Sequence, residues 1–417
     1  NKTQYKSNGA ACRIAKDKVM RIKDFLNEFE ADRAALPGVE KETLAKLRNK
    51  TIVISGGELA RCLCYAFLYN NEAKRLGIKV ILLGKSRNAM ASYHSELLLR
   101  GDFDFVDYNS ASEISSADYV ITTGICGKHT DNRINFQQLK NKTVFVSDCH
   151  GLIAYYIICT LLEGNDFFEN NTRVITLAKS REDAEKQFGS LTLRKDFVVE
   201  IGESKNFPEI ERADFVIYCN CPCEVAEEDC SNPEIADTIT SGFANVLEYA
   251  KESNAESVLL VSSYTVYGEV FSGKNNICEN DLGYLDPTDA DSAYAQSMRS
   301  AETLAVCYAE KFGMNVKIAR PCPTLGGVRM SDERKWAKLI VSAAKNQSIM
   351  LTDNGGEKFS FCYVTDTVSA LIDILLNGKS GEAYNISNDN ANVTMREFAQ
   401  LIKSANPEKN LSVVFVH

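Results

Sequence analysis

Tyr294 stands four residues before Met298 in the stretch SAYAQSMRSAE, residues 292–302. On a helix this spacing puts both side chains on one face. A phenol has an ordinary pKa of about 10, so near neutrality it serves as a base only beside a positive charge. A lysine one turn further on would supply that charge, but the residue there is Met298, which carries none and donates no hydrogen bond. Losing such help costs about 1.4 kcal/mol per pKa unit in the balance of protonation states. Arg299 is adjacent, but one residue is about 100° around a helix, so it points elsewhere. Tyr294 therefore has a position suited to acid/base chemistry and lacks the amine that would activate it.

A second chemical feature lies upstream, at Ser147-Asp148-Cys149-His150-Gly151-Leu152-Ile153-Ala154. It falls between a β-branched run and a helical pattern. A glycine-rich turn in that context lets the backbone approach a pyrophosphate, and the helix N-terminus adds partial positive charge. Of three expected small positions only Gly151 is glycine; Ala154 is a fair substitute at the third, and the first is Asp148. A carboxylate there repels a diphosphate, and its Cβ resists the left-handed conformation that glycine allows. Lys179 and Arg181 follow the next strand. They either receive a 2′-phosphate or lie in a solvated loop. His94, His129, His150 and His417 show no pairing at a useful spacing and read as surface or loop residues, with His150 alone near a possible phosphate.

The elements that position these residues are written twice. Residues 49–87 begin NKTIVISGG, continue LARCLCYAFL and end IKVILLGKSR; residues 141–181 begin NKTVFVSDCHG, continue LIAYYIICTLL and end TRVITLAKSR. The copies align if the first lacks two residues after Gly57. DFDFVDYNSASEISSADYVITT then resembles DFVVEIGESKNFPEIERADFVIYC. Each copy reads strand, helix, strand, short strand, strand. Their unbroken β-branched runs suit strands buried on both faces of a parallel sheet. The chain goes on with a helix over 233–252, a strand at 257–263, the Tyr294 helix to about 312 and a strand at 315–321. A helix at 334–345, a short strand near 348–352, a helix at 365–377 and a last helix near 395–405 follow. Such alternation predicts right-handed crossovers and a Rossmann-like, doubly wound parallel α/β sheet.

The expected domains are a helical extension over 1–48, where apolar positions from Ile14 to Phe29 recur among charges, then a partial Rossmann-like repeat over 49–140. A complete unit spans 141–417, with 141–325 mainly nucleotide-binding and 326–417 a small mixed substrate-binding part.

Motifs in the second half carry a family resemblance. VSSYTVYG at 261–268 looks like the strand-end signature SS-x-x-VYG, and DPTDADSAY at 286–294 leads into the tyrosine helix. ETLAVCYAEKFGMNVKIARP at 302–321, FCYVTDTVSALIDIL at 361–375 and GEAYNIS at 381–387 follow in order. Over about 141–405 the chain resembles the extended short-chain dehydrogenase/reductases of the NAD-dependent epimerase/dehydratase family, which act on nucleotide sugars as epimerases, 4,6-dehydratases and decarboxylases. The resemblance implies that Tyr294 is the acid/base and Ser263 its hydroxyl partner, with Met298 where a lysine would hold the nicotinamide ribose. It implies a dinucleotide site at Ser147, Asp148, Gly151, Ile153, Ala154, Lys179, Arg181, Cys219 and Asn220, and substrate contacts at Tyr264, Thr265, Pro323 and Lys358. Tyr218-Cys219-Asn220 replace the small residues usual after the fourth strand, Ile239 replaces an expected Asn, and Phe359 replaces an expected Arg.

The bulk numbers fit a globular chain of 417 residues with 45% apolar and 25% charged residues. The net charge of −9 and the lack of a basic stripe exclude nucleic acid as a partner. No apolar run approaches a membrane span. Fourteen scattered cysteines, several inside apolar runs (Cys62, Cys64, Cys159, Cys307), read as reduced thiols packed as small hydrophobes in a cytoplasmic protein. The cluster Cys219, Cys221, Cys223 and Cys230 matches no zinc spacing, so no metal is expected.

Three readings of function follow. In the first, losses at the turn, the lysine and strand four all bear on one cofactor, and the chain is a family member with weak or absent oxidoreductase activity. In the second it is an active enzyme using Tyr294 and Ser263 with NAD or NADP. In the third it is a structural or regulatory partner of an active homologue. A homodimer through the tyrosine helix and the preceding one is expected, as is a nucleotide-sugar ligand.

Overall fold

The computed structural model describes residues 47–56, 64–65, 67–68, 71–72, 75–84, 97–107, 114, 117–123, 135–149, 151–168, 170–219, 231–269, 277–327, 332, 334–351, 354–406 and 409–415. The expected N-terminal helix, all four histidines, Cys62, Gly57 and Asn220 lie outside them. The chain divides into two compact units, Asn1–Gly127 and Lys128–His417.

In the first unit, β1 (Thr51–Gly56), β2 (Lys79–Gly84), β3 (Phe103–Asp107) and β4 (Tyr119–Thr123) form a parallel sheet in the order β3-β2-β1-β4. Ile52, Ile54, Val80, Leu82 and Phe105 bury against Leu68 and Cys64.

The second unit opens with β5 (Thr143–Val146), α1 (Leu152–Phe168), β6 (Arg173–Ala178), α2 (Arg181–Phe188), β7 (Phe197–Ile201) and β8 (Phe215–Tyr218). It goes on through α3 (Pro233–Ser253), β9 (Ser257–Val261), α4 (Ala293–Phe312) and β10 (Val316–Pro321). The remainder holds β11 (Thr324–Leu325), α5 (Lys335–Ala344), β12 (Ile349–Leu351), β13 (Lys358–Ser360), β14 (Cys362–Tyr363), α6 (Val364–Asn377), β15 (Ala383–Ile386), β16 (Asn392–Thr394), α7 (Met395–Ser404) and β17 (Val413–Phe415). Seven strands form one parallel sheet, ordered β15-β10-β9-β8-β5-β6-β7. This is the doubly wound Rossmann-like fold. Its strand order reverses between β5 and β8, which opens a crevice at their carboxyl ends where such sheets bind ligands. Every residue of β9 and β10 is buried, which explains their unalternating sequences.

Local signals set the helix ends. Asn232 caps α3 through Glu234 N, Pro233 takes its first turn, and Asn254 closes it in the left-handed conformation. Helix α2 lies where the strand-rich reading had only a connection. Ser180 caps it by accepting from Asp183 N, and Glu182 and Asp183 occupy its first turn, so the start signal was present in a segment too short and polar to show periodicity. The C-terminal part holds three two-stranded ladders, β11–β14, β12–β17 and β13–β16. It has its own core of Trp336, Leu339, Phe361 and Phe398.

The two units use the same fastenings. Asn71 donates to Ile78 O and to Asp102, and accepts from Ile78 N, each at 2.8 Å. Asn165 donates to Thr172 O at 2.6 Å and to Asp196 at 2.8 Å, and accepts from Thr172 N at 2.8 Å. Arg100 pairs with Asp102 as Arg194 pairs with Asp196. Thr51 N donates to Asp118 as Thr143 N donates to Asp214. Asn49 and Asn141 are both left-handed, with φ of 55° and 58°. The strand orders β3-β2-β1-β4 and β7-β6-β5-β8 correspond, and they belong to two separate sheets.

Candidate functional site

At the carboxyl ends of β5 and β8 stand Ser147 and Cys219. Ser147 Oγ accepts from Cys219 N at 2.9 Å, a tie between the ends of the two strands, and both residues are buried. Asp148 turns its carboxylate onto its own turn, accepting from Cys149 N at 2.7 Å. Neither Asp148 nor Gly151 adopts a positive φ. The expected backbone penalty at Asp148 is therefore absent, and only its charge remains an objection to a diphosphate. A Cβ on Gly151 would meet nothing within 4 Å, so the α1 N-terminus is open on that side. Ile153 and Ala154 are buried. Lys179 pairs with Glu203 at 3.2 Å and Arg181 with Glu185 at 3.8 Å, all with well-exposed side chains. That is the solvated-loop arrangement.

At the end of β9, Ser263 caps the 3-10 turn Tyr264–Tyr267, accepting from Thr265 N at 3.2 Å and Thr265 Oγ1 at 3.0 Å. Tyr264 is exposed and Thr265 half-buried. On α4, Tyr294 is 5% and Met298 0% exposed. They share one apolar cluster with Tyr218, Ile239, Phe243 and Val266. Tyr218 crowds this core rather than the surface: its ring lies 5.0 Å from Phe243 and its hydroxyl donates to Thr238 O at 2.9 Å. Gly242 permits that approach, since a Cβ there would lie 3.0 Å from the Tyr218 hydroxyl and 2.5 Å from Ser204 Oγ. Arg299 does point away from Met298's role. Its Nε donates to Val266 O at 2.8 Å and its Nη2 to Gly283 O at 2.9 Å.

A buried polar network beside the site escaped the sequence reading. Arg320 pairs with Glu302 through Nε at 2.9 Å and Nη2 at 2.7 Å, and Ser262 donates to Glu302 at 2.6 Å. Arg320 also donates to the Tyr267 hydroxyl at 2.9 Å, which itself donates to Asn385. Burial raises the Tyr267 phenol above its ordinary value, although Arg320 opposes this. The signal was a glutamate eight residues after Tyr294, on the same apolar face, and an arginine inside an apolar strand.

Of the residues expected to contact substrate, Pro323 is buried, and its carbonyl accepts from Cys362 N at 3.1 Å. Gly326 fits between Leu152 and Val364, where a Cβ would lie 2.8 Å and 3.0 Å from their side chains. Lys358 is exposed on β13, beside Phe359, which is tilted against Phe361 at 6.0 Å. Cys64 and Cys159 are buried as expected, but Cys307 is exposed on the outer face of α4. Among the described residues no group of His, Cys, Asp or Glu could hold a metal, and no helix is long and apolar enough to cross a membrane. Cys221, Cys223 and Cys230 lie outside them.

Comparison with known proteins places this geometry. The chain is 33% identical over 168 residues to UDP-glucuronic acid decarboxylase 1 of Danio rerio, covering 40% of this chain but only 39% of that protein's length. It is 27% identical over 281 residues to UDP-glucuronic acid decarboxylase 3 of Arabidopsis thaliana, covering 66% of this chain and 78% of that one. Among solved structures it resembles UDP-glucuronic acid 4-epimerase from Bacillus cereus, in complex with UDP-glucuronic acid and NAD. The TM-score is 0.54 at 17% identity, over 66% of this chain and 86% of that one, a likeness of fold. Residues 150–387, more than half of the chain, match the NAD dependent epimerase/dehydratase family, and the chain belongs to it.

Proposed function

We propose that this chain is a degenerate member of its nucleotide-sugar enzyme family, with weak or lost oxidoreductase activity. The observation that carries this reading is Met298. It lies wholly buried one helical turn from Tyr294, in an apolar cluster, and the neighbouring Arg299 is committed to two backbone carbonyls. No amine is thereby offered to a nicotinamide ribose or to the phenol. Asp148 adds a carboxylate beside the pyrophosphate position. The residues present do not fit NAD or NADP held in the family's manner, so no chemical step is routed through either.

What this site retains is a scaffold for the sugar nucleotide. The Ser263–Thr265 hydroxyl pair and the exposed Tyr264 follow β9, and Lys358 is exposed on β13 of the C-terminal part. Relatives named for UDP-glucuronic acid motivate a UDP-sugar as the ligand class. Thermal melting of the full chain with NAD+, NADP+ and UDP-glucuronic acid tests the reading. A ligand at 100 times its Kd adds about 2.7 kcal/mol. A shift with the UDP-sugar and none with either dinucleotide is expected. A dinucleotide shift with turnover in the unaltered chain defeats it. In Met298→Lys, the appearance of dinucleotide binding would support the assignment of that position.

The first unit is best explained as a duplicate of the second unit's leading half. Its matched strand order and its Asn71, Arg100 and Asp118 contacts support this. Helices α3 and α4 pack on each other, and their outer faces are the surfaces through which a homodimer or an active homologue would dock. Deleting 1–140 and measuring oligomer size tests whether the duplicate serves assembly.

A further inference from the structure

The two sheets share a strand order but end differently. In the second unit β8 is interior: Phe215–Tyr218 pairs in register with β9 from Ser257 to Leu260, and β9 is buried throughout. The first unit's counterpart, β4, pairs with β1 alone among the described residues. An open strand edge presents unpaired N–H and C=O groups, and proteins protect such edges with charge or with cover. The other three edges of the two sheets are protected in this way. Strand β3 carries Asp104 and Asp107, and β7 carries Glu200. On β15 the Asn385 N–H is taken by the Glu279 carboxylate at 2.8 Å. Strand β4 reads YVITT, with neither a charge nor a proline. Asp118, just before it, is engaged by Lys50 Nζ and Thr51 N, each at 2.8 Å.

We propose that β4 is the seam of a homodimer, its edge covered by β4 of a second copy of this chain. The inference rests on reading the first unit as a duplicate of the second unit's leading half, in which the corresponding edge is covered by a strand. A two-fold axis normal to the sheet sets the two copies of β4 antiparallel and joins two four-stranded sheets into one of eight strands. Composition selects the occupant. A strand that pairs with its own copy meets its own charges, and like charges across a seam are destabilising. Self-pairing of β3 or of β7 would gather carboxylates at the seam. Self-pairing of β4 sets only aromatic and β-branched residues against one another, the types that favour strands. With full overlap Ile121 stands opposite its own counterpart. The seam is distinct from the outer faces of α3 and α4. Five residues a side make a small interface, so the association is weak and reversible.

The test is hydrogen exchange of the unaltered full chain, read by mass spectrometry from ~1 to ~200 μM, the range in which a weak dimer forms. Sedimentation velocity follows the oligomeric state over the same range. Dimer should accumulate with concentration, and exchange in the peptide spanning 119–123 should slow severalfold in step with it. Peptides from α3 and α4 should not change. Val120→Lys combined with Thr122→Lys sets like charges on the facing strands and should abolish the slowing, while protection of the Ile78 amide reports that the first unit is still folded. If that variant loses its fold, the unaltered chain decides the matter. The proposal is overturned if the chain stays monomeric, or if it dimerises with slowing at α3 and α4 and none at β4. It is equally overturned if 119–123 is protected at every concentration, since the edge is then covered within one chain. The duplicate reading of the first unit stands under each of these outcomes, because it rests on strand order and matched contacts.

Discussion

Arg299 reaches from α4 to the carbonyl of Val266 at 2.8 Å, and so ties the tyrosine helix to the turn that follows Ser263. Its second bond, to Gly283 O, brings in the loop before the helix. Charge-assisted bonds of this kind contribute about 1.5–3 kcal/mol. Arg299→Leu should lower stability by about that much in urea unfolding. Arg299→Lys, which can keep one bond, should fall between the variant and the parent.

The asparagine fastenings give a residue-specific readout. Asn165 holds both backbone groups of Thr172, and Asn71 both of Ile78. Replacing either with Ala leaves buried backbone groups unpaired, at about 1–3 kcal/mol each. In hydrogen-exchange experiments the Thr172 amide should lose protection in Asn165→Ala and the Ile78 amide in Asn71→Ala. Each variant should spare the other unit's amide.

The Glu302–Arg320 pair is nearly sealed from water, with side chains 10% and 6% exposed. Removing one partner strands a buried charge, which costs about 3–5 kcal/mol. Glu302→Leu should therefore be severely destabilising. Glu302→Leu combined with Arg320→Met should be less damaging than the sum of the single changes. A double-mutant cycle by thermal and urea denaturation measures the difference.

Lys317 is buried in β10, donating to Ser257 Oγ at 2.6 Å and Leu375 O at 3.1 Å. Burial pushes its amine down to about 8 from 10.5. Below about pH 8 the amine is charged in both the folded and the unfolded chain, and the cost of burying it is fully present. Between 8 and 10.5 the unfolded chain binds more protons, so this group makes stability rise with pH. Ser257 already donates to Leu375 O at 2.7 Å, so Lys317→Met leaves no orphaned partner. The variant should exceed the parent by on the order of 2 kcal/mol at pH 7. That advantage should shrink by pH 10 in parallel urea titrations.

Regular elements were legible because their signals are local. Pro233 and Asn254 bracket α3, and the unbroken apolar runs of β9 and β10 announced a doubly covered sheet. Strands of two or three residues, such as β11 and β14, carry no period. Their pairing depends on where α5 and α6 bring distant segments. Tyr294, Met298 and Ser263 could be located by motif, yet the commitment of Arg299 to Val266 and the burial of Tyr218 against Phe243 are tertiary facts. The Glu302–Arg320 network stayed hidden for the same reason: its members come from α4, β10, β15 and the segment after β9, and Glu302 and Arg320 each read alone as an isolated charge.

The paired fastenings at Asn71 and Asn165 also make the molecule its own control. Two sheets of one strand order stand in a single chain, under the same expression level and the same cell. Residues kept in both mark what folding alone demands. Positions where the two turns part company after the shared serine (Ser55, Ser147), with Gly56 in one and Asp148 in the other, mark where folding leaves freedom. A deep mutational scan read as paired columns would separate these two pressures without any second protein for reference.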